Sequence, residues 1–235
     1  MLTTISGEAT DGPAAANPSK PALEGIDQLL QQSPLHANHY LDHPNFQIRA
    51  IAAKYVNVFL LPKLLHDPHH SVRWRAAERL PERYLLALRS DPHHEVRVRV
   101  ASRLRPKDLE PMMNDPDPRV RVAVASRLAP SGLTKLIRDV DASVRRAVAR
   151  RIEERWLMQM VADVDADVRL EAAQRLGPDD LIRLRGDSDS RVRHHVAGRI
   201  GLAELATMYG DVDPLVQEAV HRRLLAEMMR PGRSV

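Results

Sequence analysis

The sequence predicts an all-α fold, a solenoid of 24-residue repeats, and three observations carry that prediction. An aspartate recurs every 24 residues. These anchor aspartates are Asp67, Asp91, Asp115, Asp139, Asp163, Asp187 and Asp211. A valine follows each of them after five residues and a leucine or isoleucine after thirteen, which is typical of stacked repeats. No segment alternates apolar and polar residues with a period of two, so we expect no sheet.

The N-terminal part of the chain does not follow the repeat. Residues 1–21 are rich in small and polar residues and lack apolar periodicity, which predicts a disordered tail. Residues 22–42 carry one apolar helical face, including Leu23 and Leu30, and then Pro34 where later repeats also have a proline. We interpret residues 22–42 as a degenerate repeat that caps the N-terminal end of the stack.

Residues 43–230 hold eight repeats of this kind. His43 stands where the first anchor aspartate would be. The last repeat departs from the pattern, because Gln217 replaces an arginine and the helical pattern continues beyond the usual end. We therefore expect the last repeat to act as a C-terminal cap.

A typical repeat predicts one helix and one short return segment. Asp117 is the expected N-cap, and Pro118 suits the first helical position because its missing N–H is not needed there. The helix is expected over residues 118–128, with Val120 and Leu128 on its buried face. Only about nine residues then remain before the next anchor aspartate, which favours a single 3₁₀ turn.

The composition excludes several classes of function. The chain has no cysteine, which excludes a disulfide framework, a thiolate nucleophile and a Cys-ligated metal centre. Its first residues lack the pattern of a secretory signal, and no apolar run approaches the roughly 20 residues that span a bilayer. We expect a cytoplasmic protein with no membrane partner. The net charge of +4 is the sum of −3 in residues 1–40 and +7 in the rest of the chain, and a basic repeat region favours an acidic partner.

Arginine forms two regular series along the repeats. The first arginine series, six residues after each anchor position, comprises Arg49, Arg73, Arg97, Arg121, Arg145, Arg169 and Arg193. On a helical wheel this series falls inside the apolar arc, where a charge must be paired. The anchor aspartates lie near the same helix end in every repeat. We therefore predict an Asp–Arg ladder that joins neighbouring repeats.

The second arginine series, twelve residues after each anchor position, comprises Arg79, Arg103, Arg127, Arg151, Arg175, Arg199 and Arg223. It lies at the edge of the apolar arc, so its members are either paired within the structure or solvated as a basic stripe. A stripe would suit an acidic helix or a nucleic-acid backbone. No phenylalanine or tyrosine is interleaved with it to stack bases, which weakens the nucleic-acid alternative. A solvated stripe predicts that truncating Arg127 costs under about 0.5 kcal/mol.

An apolar strip is the best candidate for a protein-contact surface. Trp74 occupies a helix position that Val98, Val122 and Leu170 fill in other repeats. Exposed apolar groups of this kind mark contact surfaces, and tryptophan is prominent among binding residues. Contact with a neighbouring loop is the alternative. These four residues and the second arginine series from Arg79 to Arg199 form the predicted partner surface.

Two histidine pairs, His69–His70 and His93–His94, occupy equivalent places in adjacent repeats and should lie side by side. Imidazole binds Zn²⁺ or Ni²⁺ well. However, no third ligand has a fixed position, and structural sites usually have four ligands. We predict no metal site and no cofactor, and leave open whether this histidine cluster binds metal.

The repeat resembles that of the leucine-rich repeat variant family. The shared motifs are V-R, then A-x-R-L, then P-x-x-L-x-x-L-x-x-D, and they recur over residues 43–229. The resemblance implies a right-handed superhelix of alternating α- and 3₁₀-helices, a bacterial-type relative of the longer HEAT-like repeats. Family members can carry an N-terminal iron–sulfur module ligated by cysteines. This chain has no cysteine, so neither that module nor a redox role carries over.

The sequence predicts no catalytic activity. It contains no Gly-rich phosphate loop, no G-x-S-x-G motif and no H-E-x-x-H motif. The leading hypothesis is a non-enzymatic scaffold that presents an extended curved surface to another protein, acidic at its contact surface. The alternative is a nucleic-acid-binding solenoid that uses the second arginine series.

Overall fold

The structure, a computed structural model, describes residues 18–229. Within that range the regular elements are α-helices and 3₁₀-helices, with no strand, so the predicted all-α repeat fold is confirmed. The chain divides into two compact units, Met1–Leu104 and Arg105–Val235, which we describe separately. The predicted tail lies outside the described residues up to position 17. Residues 20 and 21, the last two of the predicted tail, already belong to a helix, since Pro21 suits the first turn of a helix.

Residues 18–104 of the first unit form five α-helices, and the longer ones pack in chain order. The α-helices are α1 Lys20–Gln32, α2 Phe46–Tyr55, α3 His70–Arg79, α4 Glu82–Leu85 and α5 His94–Ala101. The 3₁₀-helices are Pro34–Tyr40, Leu61–His66 and Leu86–Leu88. Helix α1 packs on α2, α2 on α3 and α3 on α5, so each repeat helix contacts the next one along the chain.

The second unit repeats the same arrangement. Its α-helices are α6 Pro118–Ala125, α7 Ala142–Ala149, α8 Glu154–Leu157, α9 Ala166–Arg175, α10 Pro178–Leu181, α11 Ser190–Ala197, α12 Leu202–Ala206 and α13 Pro214–Met228. Its 3₁₀-helices are Pro106–Asp108, Glu110–Met112, Pro130–Leu136 and Ile182–Leu184. Helix α6 packs on α7, α7 on α9, α9 on α11 and α11 on α13. Helix α13 has 15 residues, more than any other helix in the described residues, and the C-terminal cap stays a prediction.

Side-chain caps begin most of the repeat helices. The carboxylate of Asp117 accepts the amide N–H of Arg119 at 2.8 Å, and Asp213 accepts that of Leu215 at 2.9 Å. In the first unit Asn45 and His69 serve instead, the latter through its Nδ1. His93, at the same place before α5, makes no such bond. Each cap satisfies an amide that the helix itself leaves unpaired.

The repeat helices are shorter than the sequence indicates. Helix α6 ends at Ala125, three residues before the predicted end at Leu128. Beyond Ala125 the amide of Arg127 donates to the carbonyl of Val124, an i→i−3 bond that tightens the last turn. Leu128 is nevertheless buried, so the predicted burial face is right although the helix boundary is wrong.

The return segments are correspondingly longer than the predicted single turn. Leu61–His66 has six residues of 3₁₀-helix and Pro130–Leu136 has seven. Other returns begin with a short α-helix, as in α4, which Leu86–Leu88 follows as 3₁₀-helix. The early end of each repeat helix leaves enough residues for about two turns. Their buried leucines, such as Leu133, complete the core against the repeat helices.

Candidate functional site

The first arginine series binds the anchor aspartates of the following repeats. Nε and Nη2 of Arg121 donate to the two carboxylate oxygens of Asp139 at 2.8 and 2.7 Å. The same fork joins Arg49 to Asp67, Arg73 to Asp91, Arg145 to Asp163, Arg169 to Asp187 and Arg193 to Asp211. Bidentate pairs of this type are the strong, geometrically specific ones. They connect repeats within each unit.

Each ladder pair also satisfies its remaining hydrogen-bonding groups. Nη1 of Arg121 donates to the carbonyl of Asp115 at 2.8 Å, and Asp139 accepts the amide N–H of Asp141 at 2.9 Å. Arg121 is 9% exposed. A buried charge requires compensation of this kind. The hydrogen bond that Arg193 donates lowers the pKa of Asp211 below its usual value, and the hydrogen bonds that Arg121 donates to Asp139 raise the pKa of Arg121.

The two ends of the ladder keep part of this geometry with other residues. Nδ1 of His43 accepts the amide N–H of Asn45 at 3.0 Å, the role that Asp67 plays for His69. At the other end, Nε2 of Gln217 donates to the carbonyl of Asp211. Gln217 thus keeps the backbone contact of the missing arginine without placing a buried charge in the last repeat.

The second arginine series is engaged within the structure and does not form a free stripe. Nη1 of Arg151 donates to the carbonyls of Ala125 and Leu128 at 2.8 and 2.9 Å, at the C-terminal end of the preceding repeat helix. Arg79, Arg103, Arg175, Arg199 and Arg223 make the same kind of contact. Arg127 is likewise partly buried. Cationic side chains are favourable where helix carbonyls lack partners.

The apolar strip contains two residues in each unit, and all four are partly buried. Trp74 and Val98 belong to the first unit, and Val122 and Leu170 to the second. The guanidinium groups of Arg75 and Arg99 lie 4.7 and 4.4 Å from the ring of Trp74, which is cation–π distance. Glu78 binds both arginines, at 2.9 and 3.3 Å.

A groove of about 420 Å³ lies beside Trp74 in the first unit. Helices α1, α2, α3 and α5 line it: its apolar side chains include Leu23, Ile51 and Trp74, and its charged ones are Lys54, Arg75 and Glu95. Lys54 binds Asp27 at 2.9 Å, and Asp27 also accepts a hydrogen bond from Tyr55. These contacts fix α1 against α2, so the groove is preformed. The sequence indicates Trp74 but not the groove, because Leu23 belongs to the atypical first helix.

A network of charges covers the corresponding helix face in the second unit. Oε1 of Glu171 accepts from Nε of Arg146 and Nε of Arg150, both at 2.9 Å. Burial raises the pKa of Glu171, but the hydrogen bonds from Arg150 and Arg146 outweigh it and leave the pKa below its usual value. Arg191 extends the network by binding Asp167 at 2.9 Å. This face is therefore closed by ion pairs where the first unit has its groove.

Aromatic and imidazole rings form a continuous stack along the N-terminal ends of α2, α3 and α5. Phe46 stacks on His69 with 3.5 Å between ring centroids, and His70 stacks on His93 with 3.7 Å and an interplanar angle of 9°. The contacts from His69 to His70 and from His93 to His94 complete the row at 4.7 and 4.8 Å. This histidine stack is the arrangement that the repeat spacing indicates, extended by Phe46.

Trp156, the second tryptophan, lies in α8 of the second unit and is partly buried. The guanidinium group of Arg155 lies 5.7 Å from its ring. No helix in the described part of the chain is long and apolar enough to cross a membrane.

Comparison with solved structures gives a close relative. A leucine-rich repeat variant with a novel repetitive structural motif is 37% identical, with a TM-score of 0.82. The match covers 89% of this chain and 88% of that one. The E. coli protein YibA is similar in fold, at 17% identity and a TM-score of 0.56, over 89% of this chain and 98% of its own. The scan against protein-family models gives no match, and neither does the search of curated proteins.

Proposed function

The chain belongs to the leucine-rich repeat variant family, and from that premise we propose that it is a non-enzymatic scaffold that binds another protein through the groove beside Trp74. The observation that carries the proposal is the juxtaposition, in the first unit, of an apolar groove, a tryptophan and two arginines that lie against its ring. Tryptophan and arginine dominate the energetically important positions of protein interfaces.

The charges beside the groove define the partner's chemistry. Glu78 alone serves Arg75 and Arg99, and Nε of Arg99 is buried with no hydrogen-bond partner among the described residues. That nitrogen is closed to solvent, but the Arg99 side chain is 32% exposed, so a partner carboxylate can form a charge-assisted bond, the strong type, with the rest of its guanidinium group. We therefore propose a partner segment that inserts an apolar side chain into the groove and places a carboxylate beside Arg99.

The rigidity of the first unit supports this role. Ladder pairs join α2 and α3 to the repeats that follow them, as in the fork from Arg73 to Asp91. A preformed groove binds without the entropy cost of ordering its walls. The nucleic-acid alternative has less support, because arginines of the second series donate hydrogen bonds to helix carbonyls. Those N–H groups are then not available to a phosphate backbone.

The test compares capture by three forms of the full chain: wild type, Trp74→Ala and Trp156→Ala. Lysate is treated with nuclease, and captured proteins are quantified by mass spectrometry. The proposal predicts a protein retained by wild type and Trp156→Ala and lost with Trp74→Ala. A photo-crosslinking residue in place of Ile51 should join that protein, and one in place of Ala123, at the same repeat position in the second unit, should not.

Two results would contradict the proposal. One is capture that Trp74→Ala and Trp156→Ala reduce equally, since the groove would then have no special part in it. The other is recovery of nucleic acid alone before nuclease treatment, with an affinity that falls steeply as salt rises, which is the signature of phosphate binding.

A further inference from the structure

A group of metal-ligating side chains lies at the N-terminal ends of α3 and α5. Ligand atoms of His70, His93 and Glu95 all lie within 4.8 Å of one another. His70 is the first residue of α3, and His93 and Glu95 flank the first residue of α5. The packing of α3 on α5 brings the three together across two repeats.

The two imidazoles of this group have nitrogen atoms without partners. Nδ1 of His70 and Nδ1 of His93 are buried and make no hydrogen bond within the described residues. In contrast, Nδ1 of the neighbouring His69 accepts the amide N–H of Ser71 at 3.2 Å. A buried polar atom without a partner destabilises the fold, because it has lost its hydrogen bonds to water. Two such atoms on adjacent rings mark a position where a ligand would lower the free energy.

We propose that His70, His93 and Glu95 bind a divalent transition-metal ion of the Zn²⁺ or Ni²⁺ class. Neutral imidazole nitrogen suits these ions, and a carboxylate oxygen is an accepted third ligand. Water completes the coordination. Two imidazoles and one carboxylate leave open positions, as in metal sites that exchange a ligand. The role goes beyond protein binding, although Glu95 also lines the groove beside Trp74.

Binding the ion requires the stacked rings to turn. A metal lies close to the plane of each imidazole at about 2.0–2.1 Å from its nitrogen. The rings of His70 and His93 are nearly parallel and 3.7 Å apart, so no single point lies in both planes at that distance. Both side chains are partly exposed, which leaves them free to rotate out of the stack. Metal binding should therefore replace the stacking contact between His70 and His93 with one coordination bond from each ring.

The site is tested by isothermal titration of the untagged full chain with ZnCl₂ and, separately, NiCl₂. The variants are His70→Gln, His93→Gln and Glu95→Gln, with His194→Gln and Trp74→Ala as controls outside the ligand set. His93 makes no capping bond, so His93→Gln should melt at the wild-type temperature. Loss of an outer-shell partner typically costs about 10–100-fold in affinity, so loss of a ligand should cost at least about 100-fold.

The expected result is one ion per chain, with affinity reduced by each ligand variant and unchanged by both controls. Proton NMR should show the ring signals of His70 and His93 shifting with the ion, since they leave the stack. No measurable binding, or binding that survives His70→Gln and His93→Gln, would overturn the proposal. If Trp74→Ala binds the metal as wild type does but no longer captures the protein, the metal site and the proposed interface function separately.

Discussion

At the residue scale, arginine performs two different tasks in each repeat that carries both series. Arg121 forks onto a carboxylate and is almost wholly buried, whereas Arg151 is partly buried and donates to backbone carbonyls. The difference follows from position on the helix. Arg121 points at an anchor aspartate, and Arg151 lies over the open end of the preceding helix. The two arginines should therefore differ in what their removal costs.

We predict that Arg121→Ala destabilises the chain by about 2–4 kcal/mol, because it leaves the buried carboxylate of Asp139 without its main donor. Arg151→Ala should cost less, about 1–2 kcal/mol, since water can reach the released carbonyls. That is more than the value expected for a solvated stripe. Urea denaturation of both variants measures the difference, and equal losses would mean that the two series are equally buried in solution.

Acid should unfold the chain through the ladder. Hydrogen bonding to Arg193 lowers the pKa of Asp211, and burial of Asp163 is outweighed by its bonds to Arg145, so its pKa is lowered too. On acidification the unfolded chain binds protons first, near the usual aspartate pKa of about 3.9. The ladder's contribution is thus complete above that pH and is lost as pH falls through the lower folded pKa values.

Thermal melting between pH 7 and pH 2 checks this prediction. The melting temperature should fall modestly from pH 7 to about 5, because burial lowers the pKa of His69 and His195 in the folded chain and the unfolded chain takes up those protons first. Below about pH 5 it should fall steeply, since protonation of carboxylates drives most acid denaturation. Asp163→Asn is the matched variant. It should start from a lower melting temperature and show a shallower fall. A wild-type curve that rises below pH 4 would contradict the assignment.

Residue patterns predict part of this arrangement and miss the rest for a physical reason. The rule that a buried charge must be paired leads from the first arginine series to the anchor aspartates, since both are visible as side chains. The acceptors of the second series are backbone carbonyls, which every residue carries and no pattern distinguishes. The ion pairs of Glu171 are missed because they depend on one residue in one repeat.

At the element scale, side-chain caps rather than the apolar pattern decide where most of the repeat helices begin. The sequence indicates the capping aspartates, and the structure has them at the starts of α6, α7, α9, α11 and α13. Helix ends are harder to predict from the sequence, because a tightened last turn shifts the end of the helix while the same residues stay buried. The return segments change accordingly, since residues lost from one element are gained by the next.

Helix α5 offers a test of capping. His93 precedes it without a side-chain cap, whereas Asp117 caps the next repeat helix. In metal-free buffer His93→Asp should stabilise the chain by about 0.5–1 kcal/mol, through a new acceptor and a charge that favours the helix N-terminus. His69→Asp is the control and should be nearly neutral, because His69 already caps α3. Thermal melting decides, and equal effects of both changes would exclude capping as the cause.

At the scale of the whole molecule, contacts are local. Within each unit a repeat helix packs on the next repeat helix along the chain, as expected of a repeat array. The 24-residue period predicts this architecture because it is unbroken. The division into two units after Leu104 cannot be predicted from the sequence, because the 24-residue period continues through that point unchanged.

Local packing predicts that damage to one unit is felt mainly there. The two tryptophans report separately, Trp74 in the first unit and Trp156 in the second. Val120 is fully buried in the second unit, and Val120→Asp places an unpaired charge in its core. In a Trp74→Phe background Trp156 is the single tryptophan, and the midpoint of the urea transition that it reports should fall strongly with Val120→Asp. With Trp74 alone, in a Trp156→Phe background, it should move less.

Val122→Asp is the matched control, because Val122 is only partly buried on the same helix and should shift both transitions little. Equal shifts of the two reporters with Val120→Asp would mean that the chain unfolds in one cooperative step despite its local contacts. Unequal shifts would mean that the first unit, with its groove and histidine stack, keeps its fold when the second is damaged. In that case, variants in the second unit could be used as folded controls for both proposed binding activities.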